Sequence, residues 1–156
     1  MLWPMPILLP QQAQRLREMF DAQAHDRVRI TLFTRKASPD DVNGAIAQSC
    51  RDAHDLLTEV AALAPNYLVL EERDLAQDAA EAEALGINRV PAILLRGKAA
   101  GVVRTFGVPS DYEFTTLIDD LFDLTSGGHT TLGANTRAML ALITRPVHLQ
   151  VFVAPT

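Results

Sequence analysis

Apolar positions along the chain recur at two different periods, and their alternation maps the elements. Leu16, Met19 and Phe20 fall at helical spacing within residues 11–24, interspersed with Arg15, Arg17 and Glu18, which predicts a short amphipathic helix. From Arg27 to Thr34 the period changes to two: Val28, Ile30 and Leu32 alternate with Arg29 and Thr31, the pattern of a strand with one face buried. Ser38, Pro39, Asp40 and Asp41 then supply an N-cap, a proline for a first helical position and two acids suited to the positive end of a helix. The helix they predict carries an apolar stripe through Val42, Ile46, Cys50, Ala53, Leu57, Val60 and Ala64 and stops before Pro65; Gly44 is expected to fray or kink its first turns.

Tyr67 to Leu70 reads as a short apolar strand, and Ala76 to Leu85 as an Ala/Glu-rich helix closed by Gly86. Two further apolar runs, Ala92 to Leu95 and Val102 to Phe106, flank Arg96-Gly-Lys-Ala-Ala-Gly101 and predict a hairpin. Ser110 and Glu113 form a capping-box pattern ahead of Phe114, Leu117, Ile118, Leu121 and Phe122, a closing helix. The series is α/β: an N-terminal helix, β-α-β, a linking helix, then β-β-α, which gives a mixed sheet with the long crossover helix on one side.

After Gly127-Gly128 the pattern begins again. A helix is expected within Thr130 to Thr144, on Leu132, Met139, Leu140 and Ile143, and an alternating strand over Val147 to Val153. PVHLQVF (146–152) repeats RVRITLF (27–33), with Val147, Leu149, Val151 and Phe152 matching Val28, Ile30, Leu32 and Phe33. Helix plus strand together point to a tandem duplication. The domain reading is therefore 1–126 as one unit with its N-terminal helix, and 127–156 as linker, helix and first strand of a truncated second unit.

Composition narrows the function classes. With 48% hydrophobic and 21% charged residues the chain is an ordinary globular one. A net charge of −5 disfavours nucleic acid and anionic membrane surfaces as partners. No apolar run reaches the roughly 18–20 residues of a membrane span. The apolar start MLWPMPILLP lacks a basic leader region and carries three prolines, so it reads as a packing arm. One cysteine, Cys50, excludes an intrachain disulfide and suits a reducing, cytoplasmic setting. His25, His54, His129 and His148 are scattered without ligand spacing, so no metal site and no cofactor is expected. The acidic pairs Glu71-Glu72 and Asp119-Asp120 are read as solvated surface, because adjacent side chains point in different directions. The glycines 127, 128 and 133 lack the lysine of a phosphate loop and read as linker.

The most specific stretch is GINRVPAI (86–93), where Gly86 ends a helix and Val90-Pro91, expected as a cis peptide, leads into a strand. Together with FGVPSDYEFTTLI (106–118) and the restart ending in LQVFVAPT (149–156), it resembles the first unit of the tandem-unit protein disulfide oxidoreductases and the N-terminal domain of the alkyl hydroperoxide reductase flavoprotein subunit. The resemblance implies a thioredoxin-like fold and places a dithiol at the start of the first long helix. Registered on that pattern, Cys50 takes the second, buried position and Ala47 the first, so the attacking thiol is missing. It also implies an edge beside Val90 and Pro91 able to receive an extended peptide. The function expected is that of a degenerate thioredoxin/glutaredoxin-like unit of a thiol-disulfide oxidoreductase, without its own dithiol, that docks a second redox-active unit, in cis or trans, or a protein disulfide substrate. Two alternatives stand beside it: a single-cysteine, glutathione- or disulfide-linked enzyme using Cys50, with His54 as base, and a structural homodimer module built on the unpaired terminal strand.

Overall fold

The computed structural model describes residues 7–36, 39, 41–98, 101–127 and 130–152. Its elements run α1 (Pro10–Gln23), β1 (Val28–Thr34), α2 (Ala45–Ala61), β2 (Leu68–Asp74), α3 (Ala79–Ala84), β3 (Ala92–Arg96), β4 (Val103–Phe106), α4 (Asp111–Thr125) and α5 (Ala134–Ala141). The four strands form one mixed sheet in the order β2-β1-β3-β4. β1 runs parallel to β2, with Val28 beside Leu68 and Thr34 beside Asp74, and antiparallel to β3, with Phe33 opposite Ala92. The β3-β4 pair is antiparallel, completing the expected β-α-β, helix, β-β-α order.

β1 is buried more thoroughly than its alternation suggests: only Arg29 is exposed. Val28, Ile30 and Leu32 point to one face, where they meet Ala53, Leu57 and Val60 of α2, Leu117 and Leu121 of α4, and Phe20 of α1. Phe20 stacks on Phe122 with ring centroids 4.2 Å apart, which ties α1 to α4. Phe33 points the other way, into a smaller cluster with Ala92, Leu94, Ile87 and Ala82 of α3. An interior strand with helices over both faces has no solvent side, which is why the one-face expectation falls short. The hydroxyl of Thr34 is accommodated there by donating to Glu72 Oε1 at 2.8 Å. β2 is longer than the Tyr67–Leu70 expectation, continuing through Glu71, Glu72, Arg73 and Asp74; it is an edge strand, and charge on an edge discourages pairing with other chains.

Helix starts depart from their expected caps. Ser38 and Asp40 lie outside the described residues. α2 begins only at Ala45, after a turn in which Asn43 (φ 61°) and Gly44 (φ 67°) are left-handed, and Asp41 provides the cap: its carboxylate accepts the N–H groups of Ile46 and Ala47, each at 2.8 Å. At α4 Ser110 holds the N-cap position, but its hydroxyl makes no capping bond. The Glu113 N–H that a capping box would use is taken at 2.9 Å by the Ser110 carbonyl, in a tight turn with Asp111 at φ 48°. At the other end of the chain the arm is fastened by Glu59 on α2, whose carboxylate accepts the N–H groups of Ile7 (2.7 Å) and Leu8 (2.9 Å), with Leu8 buried.

The C-terminal region corrects one expectation. α5 forms, but among the described residues no strand pairs with 147–152; position 153 lies outside them. A strand exists only through its ladder, and both faces of this segment stay open: Leu149, Val151 and Phe152 are 85–90% exposed, whereas their repeat partners Ile30, Leu32 and Phe33 are at 0%.

Two substitutions test this packing. Leu57→Ala removes a fully buried side chain at the centre of the main cluster and is expected to lower unfolding free energy by about 2–5 kcal/mol in urea denaturation. Gly86 sits at φ +67°, and a Cβ there would lie 2.8 Å from Arg104 Nη1, which donates to the Leu85 carbonyl at 2.6 Å. Gly86→Ala is therefore expected to cost about 1–2 kcal/mol from its backbone alone, and an unchanged urea midpoint would show that the turn does not depend on the left-handed conformation.

Candidate functional site

Cys50 is the sixth residue of α2, on the stripe that faces the sheet, and is 5% exposed. Burial pushes its thiol above the usual cysteine range, and the charges of Asp41 and Glu72 push the same way. The backbone N–H of Arg35 and its guanidinium pull against them without overcoming the burial. A further feature that would favour a thiolate, the positive end of a helix, lies a turn and a half away and is engaged by the Asp41 carboxylate. Ala47, the position the resemblance assigns to an attacking thiol, is the third residue of the helix and is 7% exposed. A thiol held neutral and enclosed is a small apolar side chain with weak nucleophilicity.

His54 lies one turn beyond Cys50 but faces acids: Nδ1 is 3.3 Å from Asp55 Oδ1 and Nε2 is 4.0 Å from Glu72 Oε2. Both residues open onto a groove of about 630 Å³ between α2, the end of β1, the end of β2 and the segment leading into α3. The groove was not visible in the sequence, because its walls come from two strands that are adjacent only in the folded sheet. Glu71 and Glu72 point to opposite faces. Glu71 pairs with Arg29 (3.4 Å) and Arg73 (3.1 Å), while Glu72 accepts from Thr34 and lines the groove. On α4, burial, then Asp123 and Asp119, raise the carboxyl of Asp120. Among the described residues no three His, Cys, Asp or Glu side chains gather where they could hold a metal ion.

The Val90–Pro91 peptide bond is cis. Pro91 is buried and Val90 half-buried at the start of β3, and the Pro91 carbonyl accepts the Gly107 N–H at 2.9 Å. Arg89 lays its guanidinium 4.4 Å from the centre of the Phe106 ring, bracing the turn against β4. Because Phe33 pairs with Ala92, this turn lies at the same end of the sheet as the close of β1 and the Arg35 N–H that reaches Cys50. The structure thus brings Cys50 and Val90-Pro91 to one end of the sheet but not into one pocket: neither Val90 nor Pro91 lines the groove beside Cys50.

No protein-family model and no curated protein sequence matches the chain. Solved structures do. The chain is similar to an N-terminal domain of the alkylhydroperoxide reductase AhpF from Enterococcus faecalis, with 21% identity and a TM-score of 0.69 over 86% of this chain and 61% of that one. A further structure of the same reductase gives 21% identity and a TM-score of 0.68 over 84% and 58%. A protein disulfide oxidoreductase from Aeropyrum pernix gives 20% and 0.66 over 86% and 55%. The chain thus spans a little over half the length of these solved chains. Among its described residues no helix is long and apolar enough to cross a membrane. Strand order, the helices on both faces of the sheet and these likenesses together establish that the chain has a thioredoxin-like fold.

Proposed function

We propose that this chain is a redox-silent thioredoxin-like unit of a thiol-disulfide oxidoreductase, whose task is to dock a redox-active thioredoxin-like unit or a protein disulfide substrate. The reading is carried by one contrast: the apolar pattern at zero exposure in β1 recurs at 147–152 with its side chains exposed. Each such side chain contributes roughly 1.5–3 kcal/mol when fully buried, so a surface of this kind favours association. Residues 127–156 then act as the start of a second unit, and the docking surface continues along them through Met139, Leu142 and Ile143 of the α5 region, also exposed. Catalysis comes from the partner, since the chain has one cysteine and that cysteine is enclosed. The lone cysteine suits a reducing, cytoplasmic compartment.

A second contact is proposed at Val90. Among the described residues no backbone hydrogen bond outside the helices and strands engages its N–H or carbonyl, which leaves both for an added strand. Addition of an extended disulfide-containing peptide is expected to shift the amide resonances of Val90 and its neighbours, and an unshifted spectrum removes this contact from the proposal.

The redox half of the proposal is tested on Cys50. Disulfide reduction by the wild-type chain and by Cys50→Ser is expected to be equally absent above the background of the thiol donor. Turnover by the wild type that Cys50→Ser loses would instead establish a single-cysteine enzyme. Alkylation of Cys50 by iodoacetamide should be slow in native protein and rapid in denaturant, and its native rate should rise only above the ordinary thiol range. The sign of the linked stability follows: with the folded thiol raised, the contribution of the neutral form is fully present below the unfolded value and is lost as pH climbs through the folded one. A native alkylation profile centred below the ordinary thiol range would contradict the enclosed, neutral cysteine.

A further inference from the structure

The groove beside Cys50 has a construction that does not involve the thiol. β1 and β2 are parallel neighbours, yet the chain leaves β1 for α2 on one face of the sheet and leaves β2 for α3 on the other. Where helices after adjacent parallel strands part to opposite faces, a crevice opens at the carboxyl ends of the strands, and this is where open α/β sheets bind ligands. The groove of about 630 Å³ occupies that crevice and falls within the range of small-ligand sites.

Its two rims have opposite charge. The segment from the end of β1 into α2 contributes Lys36 and Arg51, the latter steadied by donating to Gln48 Oε1 at 2.6 Å. The segment from β2 into α3 contributes Asp74 and Asp78. Arg73, on that same rim, is already engaged by Glu71 (3.1 Å) and Glu81 (3.4 Å) and leaves the rim acidic. Both aspartates are fixed by the backbone: Asp74 Oδ1 accepts the N–H groups of Ala76 and Gln77, each at 3.0 Å, and Asp78 Oδ2 accepts the Asp74 N–H at 2.9 Å. Among the described residues the remaining oxygen of each makes no hydrogen bond, so two anchored carboxylates face the groove with acceptor capacity to spare.

We propose that this crevice binds a small zwitterion of the amino-acid or short-peptide type, its ammonium group at Asp74 and Asp78 and its carboxylate at Lys36 and Arg51. A ligand with charge of one sign would satisfy one rim and be repelled by the other. The site goes beyond the docking role proposed above and shares no residue with Val90 or with 147–152, so the two proposals fail separately.

The experiment is a titration of the whole chain with trialanine, N-acetyl-trialanine and trialanine amide, followed by amide resonances. Trialanine should give saturable shifts at Ala47, Cys50 and Gln77, and blocking either terminus should weaken binding by at least about tenfold. Asp78→Asn keeps a side-chain acceptor for the Asp74 N–H and should weaken trialanine while leaving N-acetyl-trialanine unchanged; Arg51→Ala, at an exposed position, should weaken trialanine and leave the amide unchanged. Absence of saturable shifts up to about 10 mM overturns the proposal, as does equal binding of the three peptides, which would reduce the groove to a non-specific cleft.

Discussion

The sheet is arranged around an interior strand that, Arg29 excepted, is closed to water. β1 pairs on both sides, with β2 and with β3, and carries large apolar side chains on both faces: Ile30 and Leu32 toward α2 and α4, Phe33 toward α3. Once such a strand is interior, helices must cover both faces, and the chain reverses face between the helix after β1 and the helix after β2. That reversal makes the crevice at the strand ends. The same burial sets the fate of Cys50, whose helix presses its apolar stripe onto β1 and encloses the thiol with it.

Electrostatics at the head of α2 follow from this placement. Four residues before the first residue of the helix, Asp41 reaches the N–H groups of Ile46 and Ala47 and supplies the negative charge that a helix start attracts. A carboxylate in that position both secures the helix and raises the cost of a second anion nearby, and its charge is among those that hold the Cys50 thiol neutral. The interaction that caps α2 therefore also adds, after burial, to what keeps the Cys50 thiol neutral.

The elements were legible because their periods are strong and their ends well punctuated: Pro10 opens α1, Pro65 follows α2, Gly86 closes α3. Long-range consequences were less so. Alternation at 27–34 predicts a strand but not that both of its faces are covered, since Thr31 reads as a polar outward position and is instead buried. Caps were misplaced for a similar reason. Ser110 sits where a capping serine belongs, but the local turn commits the Glu113 N–H to a carbonyl, and no composition rule reports that choice. Of the candidate site, Cys50 and Val90-Pro91 were visible as residues. The groove walls were not, because Lys36 and Asp78 come to line one groove only through the parallel pairing of β1 with β2.

The repeat at 146–152 shows how far a pattern alone can carry a structure. Val147, Leu149, Val151 and Phe152 reproduce the apolar positions of β1 almost one for one, yet those positions are fully buried in β1 and exposed in the later segment. The difference lies in neighbours. β1 has a parallel partner delivered by α2 and an antiparallel partner delivered by α3, whereas among the described residues no strand pairs with 147–152. An isolated strand leaves its backbone groups to water and gains no packing, so the sequence that specifies a sheet's centre specifies nothing until other strands flank it. This is why the exposed segment, rather than the enclosed cysteine, carries the docking role proposed for the chain.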